Sequence, residues 1–229
     1  MVEPESGCGA GSRRPGSSPP CMAGEGGEGC GAAAAEPMPP GHDWAEIRAW
    51  RKVKRSRLIE RRMAMSAADR ATRGEAITAS LLSLLCPADA GAFGFYWPFK
   101  GEYDPRPVAY ALHERGVRLA LPVVAAKGQP LAFLPWRPGV PMKSGIWGIP
   151  VPAEGEPVLP ATLLVPLVGF DRQRYRLGYG GGFYDRTLAV MPARPRTVGI
   201  AFELSQIPTI YPQAHDIRMD LIVTERGVA

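Results

Sequence analysis

A glycine-rich segment between two apolar segments constrains the fold of this chain most strongly. Residues 176–185 read Arg-Leu-Gly-Tyr-Gly-Gly-Gly-Phe-Tyr-Asp. The apolar run over residues 163–170 predicts a buried strand before this segment, and residues 183–191 predict a helix after it. A strand, glycine loop and helix can hold a phosphate, because glycines admit close backbone approach and helix-start amides carry partial positive charge. A tight structural turn explains the same spacing equally well, since neither the P-loop nor the dinucleotide pattern is present.

Apolar segments of helical and of extended type alternate over the rest of the chain. Helices are predicted over residues 44–65, 67–86, 105–114 and 183–191. Strands are predicted over residues 90–97, 118–124, 130–136, 163–170, 197–202 and 220–224. Residues 137–160 are rich in proline and glycine and predict a surface connection. This alternation is typical of the α/β class, so we expect a single three-layer α/β/α domain with a mostly parallel sheet over residues 43–229.

Residues 1–42 differ in composition from the remainder. They contain ten glycines and seven prolines and almost no large apolar side chains. Such a segment cannot bury enough surface to offset the entropy lost on ordering, so it predicts a disordered tail. The formal net charge of the whole chain is +5, which does not indicate bulk DNA binding.

The cysteines indicate a reducing compartment. They form no Cys-x-x-Cys pair, so neither a zinc site nor a disulfide framework is predicted. No apolar run reaches the length of a membrane span, and the N-terminus lacks the apolar core of a secretory signal. These features predict a cytoplasmic protein without a membrane partner. We also expect a monomer without nucleic-acid partners. The cysteines are Cys8, Cys21, Cys30 and Cys86.

The first predicted helix is strongly basic. Arg51 and Arg55 are four residues apart and share a helix face, where two guanidinium groups can clamp a triphosphate. A solvated face whose long stems cover apolar surface is the alternative, and for any single residue it is the commoner arrangement. RNA binding is a third alternative, although only Trp44 and Trp50 offer stacking surface. The basic residues are Arg48, Arg51, Lys52, Lys54, Arg55, Arg57, Arg61 and Arg62.

Carboxylates follow other predicted elements. Glu102 lies between a predicted strand and a helix, where it can accept hydrogen bonds from an amino-substituted heterocycle and Trp97 can stack; simple surface exposure is the alternative. Asp185 ends the glycine segment and Asp216 precedes the last predicted strand. Together they could place a magnesium ion, which needs only one or two carboxylates plus phosphate oxygens. A turn-forming role for Asp216 is the alternative, because the spacing alone does not bring the two aspartates together.

Taken in order, these segments resemble the 5-formyltetrahydrofolate cyclo-ligase family over about residues 44–226. The most specific part is Val-Pro-Leu-Val-Gly-Phe-Asp at 165–171, followed by residues 176–186. Glu-Tyr-Asp-Pro at 102–105, Gly-Ile-Ala-Phe at 199–202 and His-Asp at 215–216 occur in the expected order.

The resemblance implies a ring closure that needs ATP and magnesium. The substrate would be 5-formyltetrahydrofolate, and the products 5,10-methenyltetrahydrofolate, ADP and phosphate. In the family, ATP phosphorylates the formyl oxygen, N10 attacks the activated carbon, and phosphate leaves. This chemistry depends on positioning and charge neutralisation rather than on a nucleophilic triad.

The resemblance also assigns residues to roles. Asp185 and Asp216 would bind magnesium, and Arg176 and Tyr184 would be catalytic. Glu102 and Trp97 would bind the folate together with the loop residues Gly180, Gly181, Gly182 and Phe183. ATP would contact Arg51, Arg55, Arg176, Leu177, Gly178, Tyr179, Gly180, Gly181, Gly182, Phe183 and Tyr184.

Three positions depart from the family pattern. Arg51 stands where the family often has lysine, and Gly181 stands where some relatives have a cation. Arg174 stands where the family usually has glycine, at a turn position suited to positive φ. A homologue that binds nucleotide or folate without catalysis, and an RNA-binding module built on the basic helix, are the alternatives to the ligase.

Overall fold

The computed structural model describes residues 41, 43–85 and 91–229. The predicted disordered tail, apart from Gly41, lies outside these residues, and so do all four cysteines. The domain boundary near residue 43 therefore stays a prediction. Within the described ranges, no helix combines the length and the apolarity needed to cross a membrane.

The described residues alternate between helices and strands, as the sequence predicts. Ser66 caps the second helix, because its side-chain oxygen accepts a hydrogen bond from the Asp69 amide at 3.0 Å. The helices are α1 (Trp44–Met63), α2 (Ala67–Leu84), α3 (Arg106–Glu114) and α4 (Phe183–Val190). The strands are β1 (Ala92–Gly94), β2 (Arg118–Val124), β3 (Leu131–Trp136), β4 (Met142–Ser144), β5 (Pro150–Pro152), β6 (Pro160–Pro166), β7 (Gly169–Phe170), β8 (Arg176–Leu177), β9 (Arg196–Ile200), β10 (Leu221–Thr224) and β11 (Gly227–Val228).

Seven of the described strands form one sheet in the order β11-β10-β9-β6-β1-β2-β3, and the other four form the two-stranded pairs β4-β5 and β7-β8. The five inner strands run parallel, and the edge strands β3 and β11 pair antiparallel to their neighbours. The prediction of a mostly parallel sheet is therefore confirmed. The inner strands are apolar on both faces, as expected for a sheet covered on both sides.

Side chains that alternate along the strands divide the core into two layers. On β6, Leu164 packs in the cluster formed with α2 and α3, whereas Leu163 and Val165 pack in the cluster that includes Leu188 of α4. This alternation buries both sheet faces and confirms the three-layer α/β/α architecture. Helix α1 contributes Leu58 to a third cluster, which covers the β7–β8 hairpin.

The predicted strand over residues 163–170 is divided in the structure. Strand β6 ends at Pro166, and Gly169 then starts a separate two-stranded hairpin of β7 and β8. A Cβ at Gly169 would lie 2.7 Å from Leu58 Cδ1, so glycine allows the hairpin to approach α1 closely. Arg174 takes the left-handed conformation at the hairpin turn, with φ of 67°, which is the backbone that the family glycine suggested.

Two further elements differ from the sequence prediction. The connection over residues 137–160 contains the hairpin of β4 and β5 and a 3-10 turn, Ile146–Gly148. The short edge strand β11 was not predicted. Both are short antiparallel pieces whose pairing depends on tertiary neighbours rather than on a strong local pattern.

The connections of the sheet diverge between β1 and β6. From β1 the chain passes through α3 to β2 on one side, and from β6 it passes through the hairpin and α4 to β9 on the other. The carboxyl ends of strands at such a divergence leave a crevice, which is where open α/β sheets bind ligands. The Glu102 loop follows β1 and the glycine loop precedes α4, so both border this crevice.

Candidate active site

A cavity of about 930 Å³ lies at this divergence. It brings together the side of α1, the loop after β1, the glycine loop and the segment before β10. The residues that the sequence analysis assigned to the site all line it. They are Arg51, Arg55, Trp97, Glu102, Arg176, Leu177, Gly178, Tyr179, Gly180, Gly181, Gly182, Phe183, Tyr184, Asp185 and Asp216.

Arg55 lies against the glycine loop and has no ion-pair partner among the residues that the structure describes. A Cβ at Gly180 would lie 3.2 Å from Arg55 Cζ, and Gly180 has φ of +95°. The guanidinium makes no hydrogen bond or ion pair with any described residue, and its Nε is buried. Burial, followed by the nearby charge of Arg51, lowers the pKa of the Arg55 side chain. An uncompensated cation over glycine backbone indicates a site for an anion.

Asp185 is held on the first turn of α4. Its Oδ1 accepts a hydrogen bond from the Ile217 amide at 3.0 Å and lies 2.7 Å from Arg176 Nη2. That nitrogen is at ion-pair distance but is not aligned for a hydrogen bond, whereas Arg176 Nη1 donates to the Ile217 carbonyl. Oδ2 of Asp185 accepts no hydrogen bond from the described residues, so this oxygen remains available to a ligand.

Asp216 forms a buried pair with Arg51. Arg51 Nη2 donates to Asp216 Oδ2 at 2.6 Å, and Nη1 donates to Oδ1 at 3.3 Å. The Arg51 fork also donates to the carbonyls of Ile210 and Tyr211. Because most of its donors are engaged, Arg51 in this structure orients Asp216 rather than offering a free clamp for phosphate.

Glu102 is buried at the other end of the cavity. Its Oε2 accepts a hydrogen bond from the Phe99 amide at 2.9 Å, and its Oε1 accepts one from the Tyr179 hydroxyl at 2.6 Å. Burial raises the pKa of Glu102, while the Tyr179 hydrogen bond, the Arg62 charge and the Phe99 amide act in the opposite direction. The surface interpretation of Glu102 is therefore wrong, since only 7% of the residue is exposed.

Tyr184 and Trp97 line the cavity between these ends. Burial and the charge of Glu102 raise the pKa of the Tyr184 hydroxyl, so it stays protonated at neutral pH. This hydroxyl has no hydrogen-bond partner among the described residues. Trp97 is covered on one side by Arg106, whose Cζ lies 5.0 Å from the ring centroid.

The sequence analysis missed the role of Arg62. This residue is only 2% exposed, and its Nη2 donates to the Tyr179 hydroxyl at 2.6 Å. A signal was available in the spacing of the buried positions of α1, which repeat at intervals of four, three, four and four residues and carry three cations. They are Ile47, Arg51, Lys54, Leu58 and Arg62.

The burial pattern of α1 also bears on the alternatives for the basic helix. Three of its eight cations point inward, so the helix does not present one continuous basic face to a polyanion.

The sequence analysis also missed Trp147 at the mouth of the cavity. This residue is 61% exposed, and its ring lies 6.0 Å from that of Phe183. No local sequence pattern distinguished this tryptophan.

Comparison with known proteins adds independent findings. Residues 47–225 match the model of the 5-formyltetrahydrofolate cyclo-ligase family. A relative from Haemophilus influenzae with that name is 32% identical over 157 residues, which cover 65% of this chain and 84% of the relative. One from Escherichia coli K12 is 29% identical over 176 residues, covering 74% and 97%.

Solved structures agree with this match. The NMR structure of Aquifex aeolicus 5,10-methenyltetrahydrofolate synthetase superimposes with a TM-score of 0.67 at 30% identity. It covers 78% of this chain and 91% of its own. A synthetase from Mycoplasma pneumoniae has a TM-score of 0.63 at 23% identity, covering 76% and 98%, and supports the fold.

Proposed function

This chain belongs to the 5-formyltetrahydrofolate cyclo-ligase family, and we propose that it converts 5-formyltetrahydrofolate to 5,10-methenyltetrahydrofolate with ATP and magnesium. ADP and phosphate are the other products. One observation carries this proposal: a single cavity combines a buried carboxylate with a cation that lies beside a glycine loop and has no ion-pair partner in the described part of the chain. The cation suits a triphosphate and the carboxylate suits the amino-substituted ring of a folate.

The phosphate end of the cavity consists of Arg55 and the glycine loop. Gly180 leaves room for the Arg55 guanidinium to lie on the backbone. Gly182 precedes α4, so the first amides of that helix have no helical acceptors and are available to phosphate oxygens. Arg51 supports this end indirectly through its pair with Asp216.

The two aspartates fit a magnesium ion shared with phosphates. Magnesium takes oxygen ligands and usually keeps only one or two carboxylates, completing its shell with water and phosphate oxygens. Asp185 Oδ2 is available in the cavity, and Asp216 lines the same cavity beside Arg51. When bound there, the ion would neutralise charge that develops on the phosphoryl group. The arginine partners would hold both carboxylates in place before the ion arrives.

The proposed reaction proceeds in two steps. The formyl oxygen attacks the γ-phosphorus of ATP and ADP leaves; N10 then attacks the formyl carbon, its proton is released, and the C–O bond breaks to give phosphate. Arg176 would stabilise the negative charge on the phosphoryl oxygens, because its cationic side chain is only 4% exposed and is held beside Asp185. Tyr184 offers a protonated hydroxyl to the oxygen on which charge develops. Glu102 and Trp97 hold the pterin so that the formyl group faces the loop.

The direct test is formation of the methenyl product. Purified protein is mixed with ATP, magnesium and 5-formyltetrahydrofolate, and the product is followed by its absorbance. Matched reactions omit ATP or contain a chelator. We expect turnover only in the complete mixture. Folate binding without turnover would identify a non-catalytic homologue instead, and tight salt-sensitive RNA binding without ATP turnover would identify an RNA-binding module.

The oligomeric state and the cellular compartment of the enzyme are further expectations. We expect a cytoplasmic monomer whose partners are its small-molecule substrates. Light scattering on the purified chain should give a mass near the 24.6 kDa of one copy. A stable mass near twice that value would contradict the monomer.

A further inference from the structure

We propose that Tyr179 positions Glu102 for folate recognition and is not a contact for the ATP phosphates. This inference rests on the function proposed above and deepens it. The family resemblance groups Tyr179 with the phosphate-binding residues, but its hydroxyl contacts Glu102 at the other end of the cavity. Tyr179 is therefore a positioning residue that acts through Glu102.

The hydrogen bonds of Tyr179 have a fixed direction. Its hydroxyl lies 2.6 Å from Arg62 Nη2 and 2.6 Å from Glu102 Oε1. A guanidinium can only donate, so the phenolic oxygen accepts from Arg62 and its single proton goes to an acceptor. The alternative acceptor, the Phe99 carbonyl, is at 3.4 Å, so the proton is directed to Glu102.

Hydrogen bonds to two backbone carbonyls fix the Arg62 guanidinium next to the Tyr179 hydroxyl. Its Nε donates to the Lys100 carbonyl at 3.0 Å, and its Nη1 donates to the Leu167 carbonyl at 3.2 Å. These bonds connect the loop after β1 and the end of β6 to one buried guanidinium. Arg62 Nη2 itself lies 3.9 Å from Glu102 Oε1, so the Tyr179 hydroxyl bridges the two charges.

The arrangement leaves Glu102 ready to accept hydrogen bonds. Tyr179 uses one lone pair of Oε1 and the Phe99 amide uses one of Oε2, so each oxygen retains capacity for a ligand N–H. An aminopyrimidinone ring such as that of a folate offers two adjacent N–H groups. Only an ionised carboxylate accepts both, which makes its ionisation and its rotamer decisive for affinity.

Glu102 depends on Tyr179 and Arg62 to remain ionised in its buried surroundings. Burial favours the protonated carboxyl, and no other described cation is an ion-pair partner of Glu102. The titratable groups that face it are Arg62, Tyr179, Tyr96 and Tyr184. The tyrosines are neutral over the working pH range because burial raises the pKa of each hydroxyl.

The Tyr179→Phe variant tests the proposal, since it removes one oxygen and keeps the ring beside Phe99. Calorimetry without ATP should show 5-formyltetrahydrofolate binding weakened about tenfold, the scale for a lost hydrogen bond to a charged group. In kinetic assays KM for the folate should rise while KM for ATP stays within about twofold. Tyr175→Phe is the matched control, because it removes a tyrosine hydroxyl four residues away, in the β7–β8 hairpin, and Tyr175 does not line the cavity.

The pH dependence gives a readout that a merely structural role would not change. Folate affinity should fall as the pH decreases through the pKa of Glu102, because protonation removes an acceptor. Loss of the Tyr179 hydrogen bond raises that pKa further, so the acid limb should move to higher pH in Tyr179→Phe. An unmoved limb would overturn the proposal.

A double-mutant cycle tests whether Tyr179 acts through Glu102. In the Glu102→Gln background, Tyr179→Phe should have little further effect on folate affinity. An undiminished effect would refute positioning, and so would equal weakening of folate and ATP binding. If Tyr179→Phe binds folate like the wild type, only the positioning role fails. If the wild-type protein does not bind 5-formyltetrahydrofolate, the proposed function fails and the positioning role with it.

Discussion

Replacing Gly180 with alanine should separate the phosphate end of the cavity from the folate end. Gly180 has φ of +95°, where an L residue costs about 1–2 kcal/mol. A Cβ there would lie 3.2 Å from Arg55 Cζ and 3.2 Å from Nη1, so the guanidinium must withdraw from the loop by a few tenths of an ångström. A hydrogen bond from a charged donor contributes roughly 1.5–3 kcal/mol, so a lost Arg55–phosphate contact should raise KM for ATP about ten- to hundredfold.

Gly128→Ala provides the matched control. Gly128 also has positive φ, at +81°, but a Cβ there meets no atom within 4 Å. Urea unfolding should show a similar loss of stability in both variants, because both carry the backbone strain. Steady-state assays should show a raised KM for ATP in Gly180→Ala alone, with KM for the folate nearly unchanged in both.

Two results would refute the reasoning about Gly180. An unchanged KM for ATP in a folded Gly180→Ala protein would show that Arg55 and the loop do not share a phosphate. An equal rise in Gly128→Ala would show that the effect is backbone strain rather than displacement of Arg55.

Three further substitutions test the ionic contacts and the hairpin turn. Arg51→Met should lower the free energy of unfolding by about 3–5 kcal/mol, because Asp216 loses its buried partner. Arg55→Met is the control and should unfold with the stability of the wild type. Equal losses of stability in the two variants would contradict the role of the Arg51–Asp216 pair. Asp185→Asn should lower kcat at least about a hundredfold and weaken the magnesium dependence of turnover, which titration of magnesium checks; a near-wild-type rate would exclude it from the metal site. Arg174→Gly should be about 1 kcal/mol more stable to urea than Arg174→Ala, because only alanine keeps the left-handed strain; equal stabilities would contradict it.

The sequence predicted the layers of this fold because hydrophobic periodicity is a local property. The parallel strands and four helices follow from apolar runs and from caps such as Ser66. The break at Pro166 was missed although Pro166 and Gly169 interrupt the apolar run, because neither residue shows that a hairpin starts where Gly169 meets Leu58 of α1. That contact joins residues more than a hundred positions apart, and no local pattern encodes it.

In the site, too, the sequence indicated which residues line the cavity but not the contacts between distant residues. Family resemblance placed Glu102 and Tyr179 in the cavity, but it assigned Tyr179 to ATP. We propose a positioning role instead, because Arg62 Nη2 donates to the Tyr179 hydroxyl and so directs the hydroxyl proton to Glu102. The helical spacing that places Arg62 four residues after Leu58 on the buried side of α1 was the available signal, but this spacing does not reveal which groups Arg62 contacts. In the structure Arg62 is only 2% exposed, unlike the solvated cations beside it.

The charges at the phosphate end of the cavity distinguish Arg55 from its two arginine neighbours. Arg51 and Arg176 are paired with Asp216 and Asp185, so their burial is compensated within the protein. Arg55 is partly buried beside Gly180 with no ion-pair partner among the described residues, so its desolvation carries a penalty, and burial lowers its pKa. A bound anion would remove that penalty, so nucleotide binding and folding stability are linked at this residue. A structural turn would leave this penalty uncompensated, whereas a bound phosphate would compensate it, and this is why we propose phosphate binding at the glycine loop.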